Sequence, residues 1–178
     1  MRFALVVGHH SASPGAHNAA DGTSEFEFNT RLAINIWRRL RATQLHLDPV
    51  IVFRRTLALL PADIRDTVPV FAISLHANAY NGAVSGTETL LYHRAGTATV
   101  ELAEILQNHL VEGLGLRDRG CKRVRRDERG GWLLSRMRVP TVLCEPFFID
   151  NDRDLARARE VDLVGIYIEA IKQAARKV

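Results

Sequence analysis

The segment FAISLHANAY, residues 71–80, carries a histidine directly after a run of apolar residues. The run is short and mostly apolar, so it predicts a buried strand that ends close to His76. An imidazole beside an apolar core destabilises the fold unless a hydrogen bond or a metal ion satisfies its nitrogens. His76 is therefore either a hydrogen-bonded core residue or part of a functional site, and the residues around it in the fold decide which.

Further apolar runs of similar length predict four more strands, and amphipathic patterns predict helices between them. The predicted strands cover residues 2–8, 49–53, 70–77, 86–93 and 141–145, and the predicted helices cover 25–40, 57–66, 97–113 and 154–177. Pro61 is expected to break the short helix over 57–66. Strands that alternate with helices predict an α/β fold. We expect a single three-layer domain over residues 1–178, with a twisted, mostly parallel sheet and helices on both faces, because no linker, repeat or low-complexity segment divides the chain.

The bulk composition is that of an ordinary globular protein. Of the 178 residues, 47% are hydrophobic and 25% are charged, which are typical values. No apolar run approaches the roughly 20 residues that a membrane-spanning helix needs. The N-terminus, MRFALVVGHH, is too short in apolar residues to match a signal peptide, so we expect synthesis in the cytoplasm without a signal peptide.

The net charge of +4 is concentrated in residues 117–129, RDRGCKRVRRDER. Seven basic residues less three acidic residues give +4 for this segment, which equals the net charge of the whole chain. A charged run of this kind is commonly a solvent-exposed loop. The alternative is a surface that attracts an anionic polymer by electrostatic steering.

Several residues with metal-binding or acid–base chemistry follow the predicted strands. His9, His76 and Glu145 each lie at a strand end, and Glu25 begins the first helix. Functional groups of α/β sheets collect at the carboxyl ends of strands, so these side chains are expected to converge. Two histidines and a carboxylate form a zinc set that leaves one position for water, and a further glutamate can serve as general acid or base.

Five short motifs, in this chain order, carry a resemblance to a known family. They are Gly8-His9 with Gly15-Ala16, Glu25 four residues before Asn29, Ser74-x-His76-x-Asn78, Gly86-x-Glu88, and Glu145 with Asn151. From about residue 3 to 155, the sequence resembles the catalytic domain of zinc-dependent N-acetylmuramoyl-L-alanine amidases, which occur in phage endolysins and bacterial cell-wall hydrolases.

The resemblance implies a reaction, a cofactor and a substrate. It implies Zn²⁺ held by His9, Glu25 and His76, with Glu145 as the catalytic glutamate. The implied reaction is hydrolysis of the amide between N-acetylmuramic acid and L-alanine in peptidoglycan. Residues 1–178 are then expected to be one amidase catalytic domain without a separate wall-binding domain. The protein is expected to act on peptidoglycan in the cell envelope after release from the cytoplasm.

Three residues of the motifs are expected to support the site. Asn29 lies one helical turn after Glu25 and is expected to orient its carboxylate, while Asn78 and Glu88 are expected to contact the substrate or the ligands. Two neighbours compete for the ligand roles. His10 follows His9, but the alternation of an extended segment turns it away.

Glu27 also competes with Glu25, and the spacing to Asn29 favours Glu25.

Two other functions remain open from the sequence. A zinc peptidase that cuts within the peptidoglycan stem peptide would use the same metal chemistry. A non-enzymatic basic module would bind anionic polymers through residues 117–129 and would need no metal. The segment lacks interleaved aromatic residues apart from Trp132 beyond its end, so no nucleic acid is expected as a partner. In an enzyme, residues 117–129 would instead provide an electrostatic contact with the anionic cell envelope.

Overall fold

The computed structural model of the protein describes residues 1–43 and 45–177. The strands are β1 (Arg2–Val7), β2 (Asp48–Phe53), β3 (Ala72–Leu75), β4 (Thr87–Tyr92), β5 (Asp118–Val124) and β6 (Thr141–Glu145). The helices are α1 (Glu25–Arg41), α2 (Leu60–Asp66), α3 (Thr97–Leu114), α4 (Gly131–Leu134), α5 (Asp152–Glu160) and α6 (Leu163–Ala175). The strands form one sheet in the order β2-β1-β3-β6-β4-β5, which confirms the predicted α/β class.

The sheet is parallel except at one junction. The pairs β1–β2, β1–β3, β3–β6 and β4–β5 are parallel, and β4–β6 is antiparallel. β4 therefore runs opposite to its neighbour β6, and Glu88, near the start of β4, pairs with Glu145 at the end of β6. This reversal brings Glu88 to the same edge of the sheet as the carboxyl ends of β1, β3 and β6.

Helices cover both faces of the sheet, as predicted. On one face α1, α3, α5 and α6 pack against the larger core cluster, and on the other face α2 and α4 pack against a smaller one. β1 shows the alternation that this requires, since Phe3 and Leu5 belong to the larger cluster and Ala4 and Val6 to the smaller. Both faces of the central strands are thus buried, and the carboxyl ends of β1, β3 and β6 lie at one edge of the sheet.

Three local predictions need correction. Residues 118–124, interpreted from the sequence as part of a charged loop or surface, form the edge strand β5. An edge strand tolerates charged side chains because solvent reaches its unpaired side. The C-terminal helix predicted over 154–177 is two helices, α5 and α6, which separate where Asp162 accepts a hydrogen bond from the Gly165 N–H and caps α6. Pro61 does not break α2 but lies in its first turn, where the missing N–H costs nothing.

No helix within the described residues is long and apolar enough to cross a membrane.

Candidate active site

Three side chains that can bind a metal converge at the carboxyl edge of the sheet. His9 follows β1, His76 follows β3, and Glu25 is the first residue of α1. His76 Nδ1 lies 2.7 Å from Glu25 Oε1, and His9 Nε2 lies 3.1 Å from Glu25 Oε2. One ligand atom from each residue lies within 4.8 Å of the other two. The sequence-predicted convergence of these three residues is therefore present in the fold.

Two glycines make room for this cluster. A Cβ atom at Gly8 would lie 2.6 Å from the His76 ring, closer than side-chain atoms pack. A Cβ atom at Gly15 would lie 2.6 Å from Glu25 Oε2, and the φ of +80° at Gly15 also disfavours other residues. His9 itself has a φ of 65°, an uncommon conformation for a residue with a side chain. The backbone is thus held in an unusual shape that aims His9 at Glu25.

The Glu25 carboxylate is buried and ionised. Glu25 is only 4% exposed, and the Ala77 N–H donates to Oε1 at 3.1 Å. Burial by itself raises the pKa of Glu25, but hydrogen bonds from His76 and His9 outweigh burial and lower the pKa to about 2. The carboxylate of Glu25 supplies one negative charge, and the imidazoles on either side of it supply two nitrogen ligands. This donor set suits Zn²⁺.

Glu145 lies in the same pocket, at the end of β6, and is 3% exposed. Its Oε2 has no hydrogen-bond partner among residues 1–43 and 45–177. Burial raises the pKa of Glu145 well above its ordinary value, the charges of Glu25 and Glu88 raise it further, and Arg129 lowers it. A carboxyl group with a raised pKa and a free oxygen is suited to accept a proton and later to donate it.

Glu88 and Asn78 belong to a hydrogen-bonded network on the other side of Glu145. Asn78 Nδ2 donates to Glu88 Oε1 at 2.9 Å, and Arg119 Nε donates to Glu88 Oε2 at 2.8 Å. Arg129 also donates to Glu88 Oε1 and, at 2.5 Å, to Asn78 Oδ1. Burial raises the pKa of Glu88, but its hydrogen bonds to the two arginines lower it more, so Glu88 is held as an anion.

Arg129 is a site residue that the sequence did not single out. Its Nη1 lies 3.8 Å from Glu145 Oε1, and the side chain lines the pocket. In the sequence it was one of seven basic residues in a charged segment, and no local pattern separated it from the others. Arg119 and Arg129 are therefore partners of Glu88. The other basic side chains of the segment are exposed to solvent, namely Arg117, Lys122, Arg123, Arg125 and Arg126.

The expected bond between Asn29 and Glu25 is not formed. Asn29 is fully buried, but neither atom of its amide has a hydrogen-bond partner in the described part of the chain. Four residues along an α-helix carry Asn29 about 6 Å further down the axis, and it does not line the pocket. The Ala77 N–H and the two histidines hold the Glu25 carboxylate instead.

The structure separates Glu25 from its competitor Glu27. The Glu27 side chain accepts hydrogen bonds from the backbone and the hydroxyl of Ser24, while the Ser24 hydroxyl accepts from the Glu27 N–H. This capping box starts α1 and keeps Glu27 away from the histidines. His10 likewise lies outside the cluster, in a turn where its backbone pairs with Ser13.

The fold and the site together define an α/β enzyme domain with a candidate metal centre at the carboxyl edge of its sheet. Residues 4–177 match the family described as N-acetylmuramoyl-L-alanine amidase. The match covers nearly the whole chain, so the protein belongs to this family.

Two curated relatives are similar over part of the chain. An uncharacterized cell wall amidase of Bacillus anthracis is 37% identical over an alignment of 90 positions, and the match covers 46% of this chain and 16% of that protein. The uncharacterized protein YqiI of Bacillus subtilis (strain 168) is 35% identical over 83 residues, which is 46% of this chain and 38% of that protein. The alignments therefore span well under half the length of these relatives.

Solved structures share the fold over almost the entire chain. An N-acetylmuramoyl-L-alanine amidase from Clostridium difficile 630 matches with a TM-score of 0.81 and 20% identity, covering 98% of this chain and 95% of that one. The catalytic domain of the amidase CwlV from Bacillus (Paenibacillus) polymyxa var. colistinus gives a TM-score of 0.80 at 21% identity, with 99% and 97% coverage. The catalytic domain of the CD27L endolysin, which targets Clostridia difficile, gives a TM-score of 0.81 at 21% identity, also with 99% and 97% coverage.

Proposed function

We propose that the protein hydrolyses the amide bond between the lactyl group of N-acetylmuramic acid and L-alanine in peptidoglycan, with Zn²⁺ as its cofactor. One observation carries the proposal. His9, Glu25 and His76 present metal ligands within 4.8 Å of one another, and the buried Glu145 lines the same pocket of about 390 Å³. Membership of the amidase family supports the choice of bond.

His9, Glu25 and His76 would hold the metal. In such a set Zn²⁺ supplies Lewis acidity for the substrate carbonyl and a bound water acidic enough to react near pH 7. The ionised Glu25 offsets part of the charge of the cation. Gly8 and Gly15 keep the space next to these ligands free of side chains.

Glu145 would move the proton. Its free Oε2 would accept a proton from the attacking water and return it to the nitrogen of L-alanine, so that the peptide leaves as an amine. The products are a carboxylic acid on the lactyl group and a new amino terminus. Apolar side chains line part of the pocket, namely Leu57, Leu60, Trp132, Leu133 and Leu143, and they would keep bulk water away from the reacting groups.

Product analysis tests this proposal. Purified peptidoglycan is digested with the zinc-loaded protein, and the soluble fragments are identified by mass spectrometry. We expect intact stem peptides with free L-alanine amino termini and glycan strands with free lactyl carboxyl groups. New termini within the stem peptide would instead identify a peptidase and would overturn the proposed bond.

Arg129 is expected to set the pH dependence of the rate through its effect on the pKa of Glu145. The positive charge of Arg129 lowers the pKa of Glu145, so Arg129→Gln is expected to raise that pKa. The working form of Glu145 is the carboxylate, and a higher pKa leaves less of it at a given pH. The acid limb of the rate profile should therefore move to higher pH, with the rate recovering towards wild type in alkaline buffer.

The matched control for this pH profile is Arg119→Gln. Arg119 also binds Glu88, but Arg129 is the arginine within 4 Å of Glu145 among the described ion pairs. An acid limb that moves equally in both variants would show that the loss of the Glu88 network, rather than the charge beside Glu145, causes the shift.

We also propose that the remaining basic residues of residues 117–129 contact the anionic cell envelope, where the substrate lies. Lys122, Arg123, Arg125 and Arg126 are not among the partners of Glu88. Neutralising Arg123, Arg125 and Arg126 together is expected to slow the lysis of whole cells several-fold more than the cleavage of purified peptidoglycan, and the gap should shrink in high salt. Equal losses in both assays would argue against an envelope contact.

A further inference from the structure

Arg54 lies at the end of the pocket opposite to Arg129. It follows β2, where Phe53 pairs with Val7 of β1, so Arg54 lies beside Gly8 and one residue from His9. Its side chain lines the same pocket as the candidate ligands. The pocket thus has an arginine at each end, one on the β2 side of the histidines and one beside Glu145.

The two arginines differ in their partners. Arg129 is bound to Glu88 and Asn78, whereas Arg54 forms no hydrogen bond or ion pair with any described residue, and its buried Nε lacks an acceptor. Burial lowers the pKa of Arg54, and the negative charge of Glu25 opposes this. The adjacent Arg55 is paired with Asp63 outside the pocket, so the lack of a partner is specific to Arg54.

A desolvated guanidinium N–H is costly unless an acceptor binds it. Carboxylates are the usual partner, because the planar guanidinium can donate two parallel hydrogen bonds to them. No carboxylate of the described chain fills this role for Arg54. The substrate is therefore the natural source of the anion.

The position of Arg54 limits which substrate carboxylate can reach it. β2 and β6 are separated by β1 and β3, so three strand spacings of about 4.8 Å place Arg54 roughly 14 Å from Glu145 along the sheet edge. The side chain of Arg54 spans part of this distance. Two residues of extended peptide span about 7 Å, which suits an anionic group on the second residue of a stem whose first residue carries the cleaved amide.

We propose that Arg54 forms an anion subsite of the pocket that binds the free α-carboxylate of the second stem-peptide residue. In stems whose second residue is glutamate joined onward through its side chain, this carboxylate is free unless it has been amidated. Arg54 thereby makes the enzyme prefer stems with the carboxylate over stems with the carboxamide. The inference rests on the proposed function, because it assumes cleavage before L-alanine.

Two soluble muramyl peptides that differ only at this carboxyl group test the subsite. The wild-type protein is expected to cleave the carboxylate form with a kcat/KM about 10- to 100-fold higher, the usual worth of a charge-assisted pair. Arg54→Gln should lower kcat/KM for the carboxylate form to about the level of the carboxamide form, with a much smaller loss on the carboxamide form. Arg54→Lys should keep part of the preference, because lysine retains the charge but cannot donate two parallel hydrogen bonds to a carboxylate.

Arg55→Gln is the matched control, and it should keep the wild-type preference. Zinc content and thermal unfolding of each variant show whether the substitution has disturbed the fold, and if Arg54→Gln does not fold, Arg54→Lys carries the test. Equal cleavage of the two substrates by the wild-type protein would overturn the subsite, as would an equal loss on both with Arg54→Gln. A preference that follows a carboxylate on the third residue would overturn the assignment to the second. Failure of the wild-type protein to cut either substrate before L-alanine would overturn the proposed function itself.

Discussion

The substitution Glu145→Gln is expected to reduce amide hydrolysis about 1,000-fold while the protein keeps its fold and its metal. General acid–base groups contribute roughly 10²- to 10⁴-fold to rates, and a glutamine of nearly the same shape can neither accept nor return a proton. The substitution also removes a buried carboxyl group with one oxygen unpartnered among the described residues, so the folded state should not be destabilised. The measurements are kcat on a soluble muramyl peptide, zinc content and the unfolding midpoint.

Glu169→Gln is the matched control for this prediction. Glu169 is on α6, is 60% exposed and pairs with Lys172 on the surface, so its substitution should leave kcat unchanged. A Glu145→Gln variant that retains more than about a tenth of the wild-type kcat would assign the proton transfer to another group.

The substitution His76→Ala is expected to abolish both metal binding and activity. Loss of a residue that only orients a ligand commonly costs 10- to 100-fold in metal affinity, so loss of a ligand should cost more than about 100-fold. It also removes one of the two histidine hydrogen bonds that lower the pKa of the Glu25 carboxyl. Zinc affinity, measured by competition with a chelator of known affinity, and activity at micromolar zinc are the two readouts.

The control for His76 is His109→Ala. His109 lies on α3, and its Nε2 lies 2.7 Å from Gln173 Oε1. It does not belong to the cluster of candidate metal ligands. It should retain wild-type zinc affinity and activity. Wild-type zinc affinity in His76→Ala would remove His76 from the ligand set and would require another triad.

The sequence predicted that these side chains converge because parallel strands have a simple geometry. His9, His76 and Glu145 each follow a short apolar run, and the carboxyl ends of parallel strands meet at one edge. Glu25 was placed by the helix start after the first loop and by its spacing to Asn29. For these residues a local signal was enough.

Other residues of the site depend on the arrangement of strands, which has no local signal. Glu88 reaches the site because β4 is antiparallel to β6, and a short apolar run does not reveal its direction. β5 was missed because its charged residues on an edge strand resemble a loop. Arg129 and Arg54 could be recognised as pocket residues only from the order of the strands in the sheet, which places them at opposite ends of one pocket.

The metal content of the purified protein, measured together with its activity, tests the account most directly. Elemental analysis should find about one zinc ion per chain, since one cluster of two histidines and a glutamate within the described residues offers a donor set that suits zinc. A chelator should remove both the zinc and the activity, and added zinc should restore both. A protein that binds no metal and cleaves peptidoglycan equally well with and without chelator would contradict the proposed site and its chemistry.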